Sequence, residues 1–422
     1  MTRFRTLDHP MIGMVSWDPD RPAERLNDFI LMVRATSNAY LIGSDDGDIV
    51  INTGTPAQGK AIREKFEEAL GRPLSIAKII FTQSHPDHIG GWKDFADAGV
   101  ETLVQRNFAQ ISGEWKMLRP FFGPRNARVI ASLLPKEDTG GTYWSQEQEP
   151  GPLTTFSDRF TFTFGGRRFE LISIPAGETL DSLAVWLPDE KILFIGNWAG
   201  AIYGALPNFY TARGDRQRSV PGWLRDLDTL LALEPETLIT GHEEPIRGAE
   251  AIRRDFGKLG DAVRHIHDET VSGMNAQKSL ATLMTEITLP DHLTVAPGRG
   301  PVSWYVRAVW EEYAGWFRHE STTELYAVPA NAVWPELSAL AGGADVIAAS
   351  AKAHLSAGRA NEALHLLEVA LAGEPTNRAA LEAQLEAYEQ LANATEGKVF
   401  DQLGWLEGRI IKTREALAGR SD

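Results

Sequence analysis

The 422-residue sequence contains no cysteine, which excludes disulfide bonds and thiolate ligands for a metal. Any metal site must therefore use His, Asp, Glu or amide oxygen atoms. No apolar run approaches the ~20 residues that a membrane span needs, so we expect no membrane-spanning segment.

Positive charge is also scarce, since 42 Lys and Arg residues stand against 57 Asp and Glu residues, for a net charge of −15. Proteins that bind nucleic acids usually need a basic patch to neutralise phosphates, so we expect no nucleic-acid partner. The N-terminal region lacks an apolar stretch followed by a cleavage site of small residues. We therefore expect a cytoplasmic protein.

Up to about residue 250, short strands alternate with helices and with turns rich in Gly, Pro and Asn. Residues 39–43 and 48–52 are typical of a strand pair, and residues 57–71 of a helix that ends at Gly71. A buried strand is expected at 77–82. This pattern predicts an α/β fold whose sheets are not purely parallel.

Beyond residue 250 the pattern predicts little but helix. Helices expected at 345–357, 360–372 and 377–392 have the alternation of small and large apolar residues that is typical of a tetratricopeptide hairpin. We therefore predict two domains, residues 1–265 and an all-α domain at 266–422.

A cluster of potential metal ligands follows the strand at 77–82, in the segment Gln83-Ser-His85-Pro-Asp87-His88-Ile-Gly-Gly. Alternate side chains of an extended segment point the same way, so Gln83, His85 and Asp87 can face one spot, with His88 turning in at the start of a helix. Two imidazoles and a carboxylate within four residues suit Zn²⁺.

This segment resembles the metallo-β-lactamase superfamily, whose signature here is His-x-His-x-Asp-His; Gln83 stands at its first position. The resemblance implies an αββα sandwich and further metal ligands at downstream strand ends, where Glu178, Asn197 and His242 stand. It implies one half-site of Gln83, His85 and Glu178 and a tighter one of Asp87, His88 and His242. One or two zinc ions per chain are expected.

Glu178 further resembles the class III alkylsulfatases, which use Glu at that position. The segment from Asn208 to Gly214 is similar to their sulfate-binding stretch, so the resemblance implies substrate binding by Asn208, Tyr210 and Arg213. Three segments resemble that family's helical dimerisation domain and imply a homodimer formed through the C-terminal helices: residues 303–308, 313–316 and 402–407.

The resemblance implies a zinc-dependent hydrolase that acts on sulfate esters or related small anionic esters, with Asp87 and His88 as catalytic residues. Metal-bound hydroxide would be the nucleophile. Departures from the family pattern are Gln83, Asn197 in place of a bridging acid, Asn52 in place of a structural Asp, and no counterpart of a sterol-carrier-like domain.

Two alternatives stay open. The same scaffold can hydrolyse a lactone, a thioester or a phosphodiester, because a fold does not fix the substrate. The substitutions at 83 and 197 are also compatible with a metal-poor, non-catalytic dimeric binding protein.

Overall fold

The computed structural model describes residues 17–97, 99–127, 152–200, 204–212 and 214–419. Arg213 lies outside the described residues.

The first sheet has seven strands that lie side by side in chain order. They are β1 (Glu24–Arg25), β2 (Ile30–Val33), β3 (Ala39–Ser44), β4 (Gly47–Ile51), β5 (Ile76–Ile80), β6 (Glu101–Gln105) and β7 (Leu153–Phe156). Strands β1 to β4 are antiparallel, whereas β4 to β7 run parallel. Parallel neighbours need crossover connections, and these contain α1 (Gly59–Leu70), α2 (Pro86–Ile89) and α3 (Phe108–Ala127).

The second sheet has six strands in the order β13-β12-β11-β10-β9-β8. They are β8 (Arg159–Phe164), β9 (Arg167–Ser173), β10 (Leu183–Leu187), β11 (Ile192–Gly196), β12 (Thr237–Thr240) and β13 (Ile246–Arg247). Only the pair β11 and β12 is parallel, and α4 (Val220–Leu231) lies in the connection between them.

Apolar side chains fill the space between the two sheets, with Ile49 and Ile51 of the first sheet packed in one cluster with Phe169 and Leu171 of the second. Separate clusters join helices to the outer face of each sheet, as with Phe66 of α1 on the first. The result is an αββα sandwich, which confirms the mixed α/β architecture expected from the sequence.

The C-terminal region is helical, as expected. It contains α5 (Ala249–Asn275), α6 (Leu280–Glu286), α7 (Val302–Ala314), α8 (Trp334–Leu340), α9 (Ala344–Ser356), α10 (Ala360–Gly373), α11 (Arg378–Ala394) and α12 (Phe400–Leu417), with three short 3₁₀ turns between α6 and α8. The boundary predicted between residues 265 and 266 lies inside α5 and stays a prediction.

The helical region contacts one loop of the sandwich through hydrogen bonds and an aromatic pair. The Tyr305 hydroxyl on α7 donates to the Leu206 carbonyl over 3.1 Å, and the Leu206 amide donates to the Ala296 carbonyl over 3.2 Å. The rings of Tyr305 and Phe209 also meet edge to face. None of the helices in the described part of the chain combines the length and apolar character that a bilayer crossing needs.

Candidate metal centre

The segment after β5 brings its polar side chains to the end of the first sheet. His85 has an extended backbone and Pro86 begins α2, because proline suits the first turn of a helix. Asp87 therefore lies in that first turn, and not in the extended segment where the sequence pattern placed it. Gln83, His85, Asp87 and His88 are all buried.

Asp87, His88 and His242, here called the metal triad, converge although His242 lies 154 residues beyond His88 and follows β12. Each residue offers one ligand atom, and these three atoms lie within 4.8 Å of one another. Asp87 Oδ2 is 3.5 Å from His88 Nε2 and 3.8 Å from His242 Nε2. This set of buried groups can hold a divalent ion.

Burial and the charges of neighbouring groups together shift the pKa values of the metal triad. Burial lowers the pKa of His88 to about 4 and also lowers the pKa of His242, because a charged imidazolium is disfavoured away from water. Burial alone would raise the pKa of Asp87, but the neighbouring His88 and His242 outweigh it and hold that pKa below its usual range. At neutral pH the triad therefore has two neutral imidazoles and one carboxylate.

Hydrogen bonds orient the two imidazoles of the triad. His242 Nδ1 lies 2.6 Å from the Thr36 carbonyl oxygen, which can only accept, so Nδ1 carries the proton and Nε2 keeps its lone pair. His88 Nδ1 instead lies 3.0 Å from Asn52 Nδ2, and Ser37 Oγ lies 2.8 Å from His88 Nε2.

The other half-site is built around the Glu178 carboxylate. Gln83 Nε2 donates to Glu178 Oε2 over 3.4 Å and lies 3.1 Å from His85 Nδ1. Asn197 Nδ2 donates to the same Glu178 oxygen over 2.6 Å and lies 3.0 Å from His242 Nε2. Asn197 thus links the two half-sites.

Two residues that the sequence reasoning missed complete this half-site. Arg218 donates through Nε to the Glu178 carbonyl over 2.7 Å, through Nη1 to the Asn208 carbonyl and through Nη2 to Asp215 Oδ2 over 3.1 Å. The same Nη2 is 3.8 Å from Glu178 Oε1. Asp215 Oδ2 is in turn 3.6 Å from His85 Nε2. No periodicity or motif distinguishes either residue from a surface charge.

The three residues expected to bind substrate have different outcomes. Asn208 is buried, its side-chain amide has no hydrogen-bond partner, and it lines a small cavity together with Glu178, Asn197 and Arg218. Tyr210 is partly exposed and bonds to Glu311 of α7; burial, and then this carboxylate, raises its pKa. The expectation for Arg213 falls outside the described residues.

Two family models match the chain. A model described as the metallo-beta-lactamase superfamily matches residues 33–242, and one described as alkyl sulfatase dimerisation matches residues 280–403.

Several curated relatives are sulfatases. A linear primary-alkylsulfatase from Pseudomonas sp. is 27% identical over 338 residues, which cover 75% of this chain and 63% of that protein. An alkyl/aryl-sulfatase from Saccharomyces cerevisiae is 22% identical over 94% of this chain and 64% of its own length. The chain therefore spans less than two thirds of the length of these relatives.

A solved structure with the same fold is the stereoselective inverting sec-alkylsulfatase from Pseudomonas sp.. It has a TM-score of 0.78 and 20% sequence identity, and the match covers 94% of this chain and 66% of that one. The likeness extends over both the sandwich and the helical region.

Proposed function

The chain combines a metallo-β-lactamase domain with an alkylsulfatase dimerisation domain, and from this premise we propose that it is a metal-dependent hydrolase of sulfate esters. The single observation that carries the proposal is the metal triad, in which three buried potential ligands from distant parts of the sequence meet within 4.8 Å. The cytoplasmic location expected from the sequence remains a prediction.

The metal triad fits a zinc ion by the chemistry of its donors. Two neutral imidazoles and an ionised carboxylate form the kind of three-ligand set that leaves a fourth position open for water or substrate. A divalent ion held by these residues would lower the pKa of water toward about 7 and would so supply a nucleophile at neutral pH. Asp87 would supply the compensating negative charge, and the bond to the Thr36 carbonyl leaves the lone pair of His242 on Nε2, where it could hold the ion.

The anionic part of the ester is assigned to the Asn208 side of the site, next to the small cavity beside Glu178, which has room for about one water molecule. Its wall carries the Asn208 amide, a buried polar group without a partner, and a buried amide of this kind costs free energy unless a ligand or water satisfies it. Arg218 positions this wall through its bond to the Asn208 carbonyl. We assign sulfate esters to this site because the curated relatives are named alkylsulfatases.

The proposal is tested by metal content and an ester panel on the same preparation. We expect sulfate release from short alkyl sulfates to exceed the opening of lactones and the cleavage of thioesters and phosphodiesters. His242→Ala is expected to remove the bound metal and abolish turnover, with His354→Ala, a histidine on α9, as the control. If lactones were opened faster than sulfate esters were cleaved, the substrate class would be lactones and not sulfate esters. If the protein held no metal after equilibration with Zn²⁺, that result would support a non-catalytic binding protein.

The partner we propose is a second copy of this chain. Large apolar side chains are exposed along the segment 316–340 of the helical region: Trp316, Leu325, Tyr326, Val328, Val333, Leu337 and Leu340. Exposed apolar residues at this density mark an interaction surface more often than a solvated one. The segment lies within the match to the alkyl sulfatase dimerisation model.

A further inference from the structure

Two amide side chains meet the Glu178 carboxylate in the half-site beside the metal triad. Asn197 Nδ2 and Gln83 Nε2 both donate to Glu178 Oε2, over 2.6 and 3.4 Å. Gln83, Asn197 and Glu178 are all buried. Together with Arg218 we call these residues the amide cluster.

The chemistry of Glu178 fixes which way the amides turn. An ionised carboxylate only accepts hydrogen bonds, so each amide must present its nitrogen and turn its oxygen away. The Asn197 oxygen accordingly packs against Gly241, where an added Cβ would collide with it. The amide nitrogens carry no lone pair for a metal, and the Asn197 oxygen, which could coordinate one, is directed away from Glu178.

The charge of Glu178 is also compensated without a metal. The buried Arg218 guanidinium lies 3.8 Å from Glu178 Oε1 and donates to the Glu178 backbone carbonyl. A cation placed at this carboxylate would have to displace two N–H donors and would stand beside a fixed positive charge in a region of low dielectric.

The same reasoning separates the two half-sites. In the metal triad the three ligand atoms lie within 4.8 Å of one another, and no amide donates to Asp87 among the described contacts. At the amide cluster, His85 Nδ1 faces Gln83 Nε2 at 3.1 Å, and Asn197 Nδ2 lies 3.0 Å from His242 Nε2 of the triad as well as bonding to Glu178. One half-site is thus a set of potential ligands, and the other is a closed hydrogen-bonded network.

We propose that the chain holds one divalent ion, at the metal triad, and that the amide cluster occupies the position of a second ion with N–H donors and the Arg218 charge. This inference rests on the proposed function for the metal triad itself. Asn197 then serves as a neutral positioning residue, since its amide spans from Glu178 to a point 3.0 Å from His242 Nε2.

Metal stoichiometry tests the inference. The full chain is equilibrated with excess Zn²⁺, freed of unbound ions and measured for zinc per chain, with Co²⁺ absorption as a second readout. We expect one ion in the natural chain and two in the double variant Gln83→His/Asn197→Glu, which replaces both N–H donors by metal ligands. The matched control Gln83→Met/Asn197→Leu removes the donors without adding ligands and is expected to stay at one.

The outcomes separate the two proposals. Two ions in the natural chain would overturn the single-ion inference and leave the hydrolase proposal standing. A natural chain that binds no ion would contradict both proposals. A folded double variant that still binds one ion would show that the amides are not what excludes the second. Should the double variant fail to fold, the count in the natural chain decides the question alone.

Discussion

At the scale of single residues, the two imidazoles of the metal triad differ in what holds them. Thr36 offers His242 an acceptor and so leaves Nε2 available to a metal. Asn52 instead offers His88 a donor. The Asn52 side-chain oxygen accepts from the Thr82 amide over 3.1 Å, so the Asn52 side-chain nitrogen faces His88 Nδ1. A neutral His88 then carries its proton on Nε2, the nitrogen closest to Asp87.

We therefore predict that Asn52→Asp tightens metal binding. An aspartate can accept from the Thr82 amide, from the Thr82 hydroxyl and from His88 Nδ1–H, which leaves Nε2 free to coordinate. Partners of this kind change metal affinity by roughly 10- to 100-fold, and competition with a chromophoric chelator measures the zinc dissociation constant.

Asn52→Gly is the matched control, since glycine tolerates the φ of 59° at this position but supplies no acceptor. An unchanged dissociation constant in Asn52→Asp would show that the tautomer of His88 does not limit binding.

Most residues of the candidate site could be predicted from the sequence, but the residues that hold them in place could not. The His-Pro-Asp-His segment and His242 stand out because imidazoles and carboxylates at strand ends have few other roles. Asp215 and Arg218 do not stand out, because their place depends on how an irregular loop folds back onto Glu178. The direction of the Gln83 and Asn197 amides is likewise set by neighbours distant in sequence.

At the scale of elements, the segment after α2 contains two glycines, Gly90 and Gly91, whose backbone lies too close to neighbouring segments for a side chain to fit. A Cβ added at Gly90 would stand 2.5 Å from the Pro86 carbonyl oxygen, and one at Gly91 would stand 2.5 Å from Cα of Gly59 at the start of α1. Both glycines have negative φ, so the requirement is space and not left-handed backbone.

Gly91→Ala is therefore predicted to lower the free energy of unfolding by about 1–3 kcal/mol, the usual cost of overpacking, and to reduce the bound metal by shifting α2. Urea unfolding and zinc analysis measure both effects. Gly113→Ala on α3 is the control, because its added Cβ would meet no atom within 4 Å. Equal effects of the two substitutions would refute the close-approach argument.

A carboxyl on α4 gives the fold a dependence on pH. Burial raises the pKa of Asp226 from 3.8 to about 6, against the opposing bond from the Ala176 amide over 3.1 Å. The folded state therefore takes up this proton more readily than the unfolded chain. The resulting stabilisation is complete below pH 3.8 and is lost as the pH rises through about 6.

Asp226→Asn is predicted to remove this dependence. The contribution of Asp226 is at most about 3 kcal/mol, at 1.36 kcal/mol per pKa unit. Thermal unfolding of both proteins between pH 4 and 7 measures it as a difference between two slopes. Parallel profiles for the two proteins would show that Asp226 titrates alike in the folded and unfolded chains.

Elements with strong patterns were predictable, and short or irregular ones were not. The hairpin of β3 and β4 and the helix ending at Gly71, with its φ of 66°, follow directly from the local sequence. No helix was expected at α3, because Pro120 and Pro124 lie within it and proline usually ends a helix. The two-residue strands β1 and β13 owe their form to neighbouring strands and not to their own propensity.

At the scale of the whole molecule, the apolar segment 316–340 predicts how the chain assembles. Leu340 is 85% exposed, so Leu340→Glu should leave the fold intact while placing a charge on the proposed dimer surface. We expect a higher dimer dissociation constant, measured by light scattering after size exclusion across a dilution series.

Met117→Glu on α3 is the control, since Met117 is 69% exposed on the sandwich domain. Weakening of the dimer by Met117→Glu, with none from Leu340→Glu, would move the interface to the sandwich domain.

The hydrogen bond from Tyr305 to the Leu206 carbonyl predicts what a truncated chain would lose. A fragment ending at Glu286, the last residue of α6, would retain every member of the metal triad and of the amide cluster. It would nevertheless lose Tyr305 and the Ala296 carbonyl, which brace the stretch just before Asn208. If the proposed site is correct, we expect such a fragment to keep its metal binding and to lose binding of the ester, because the helical region supports the loop that carries Asn208.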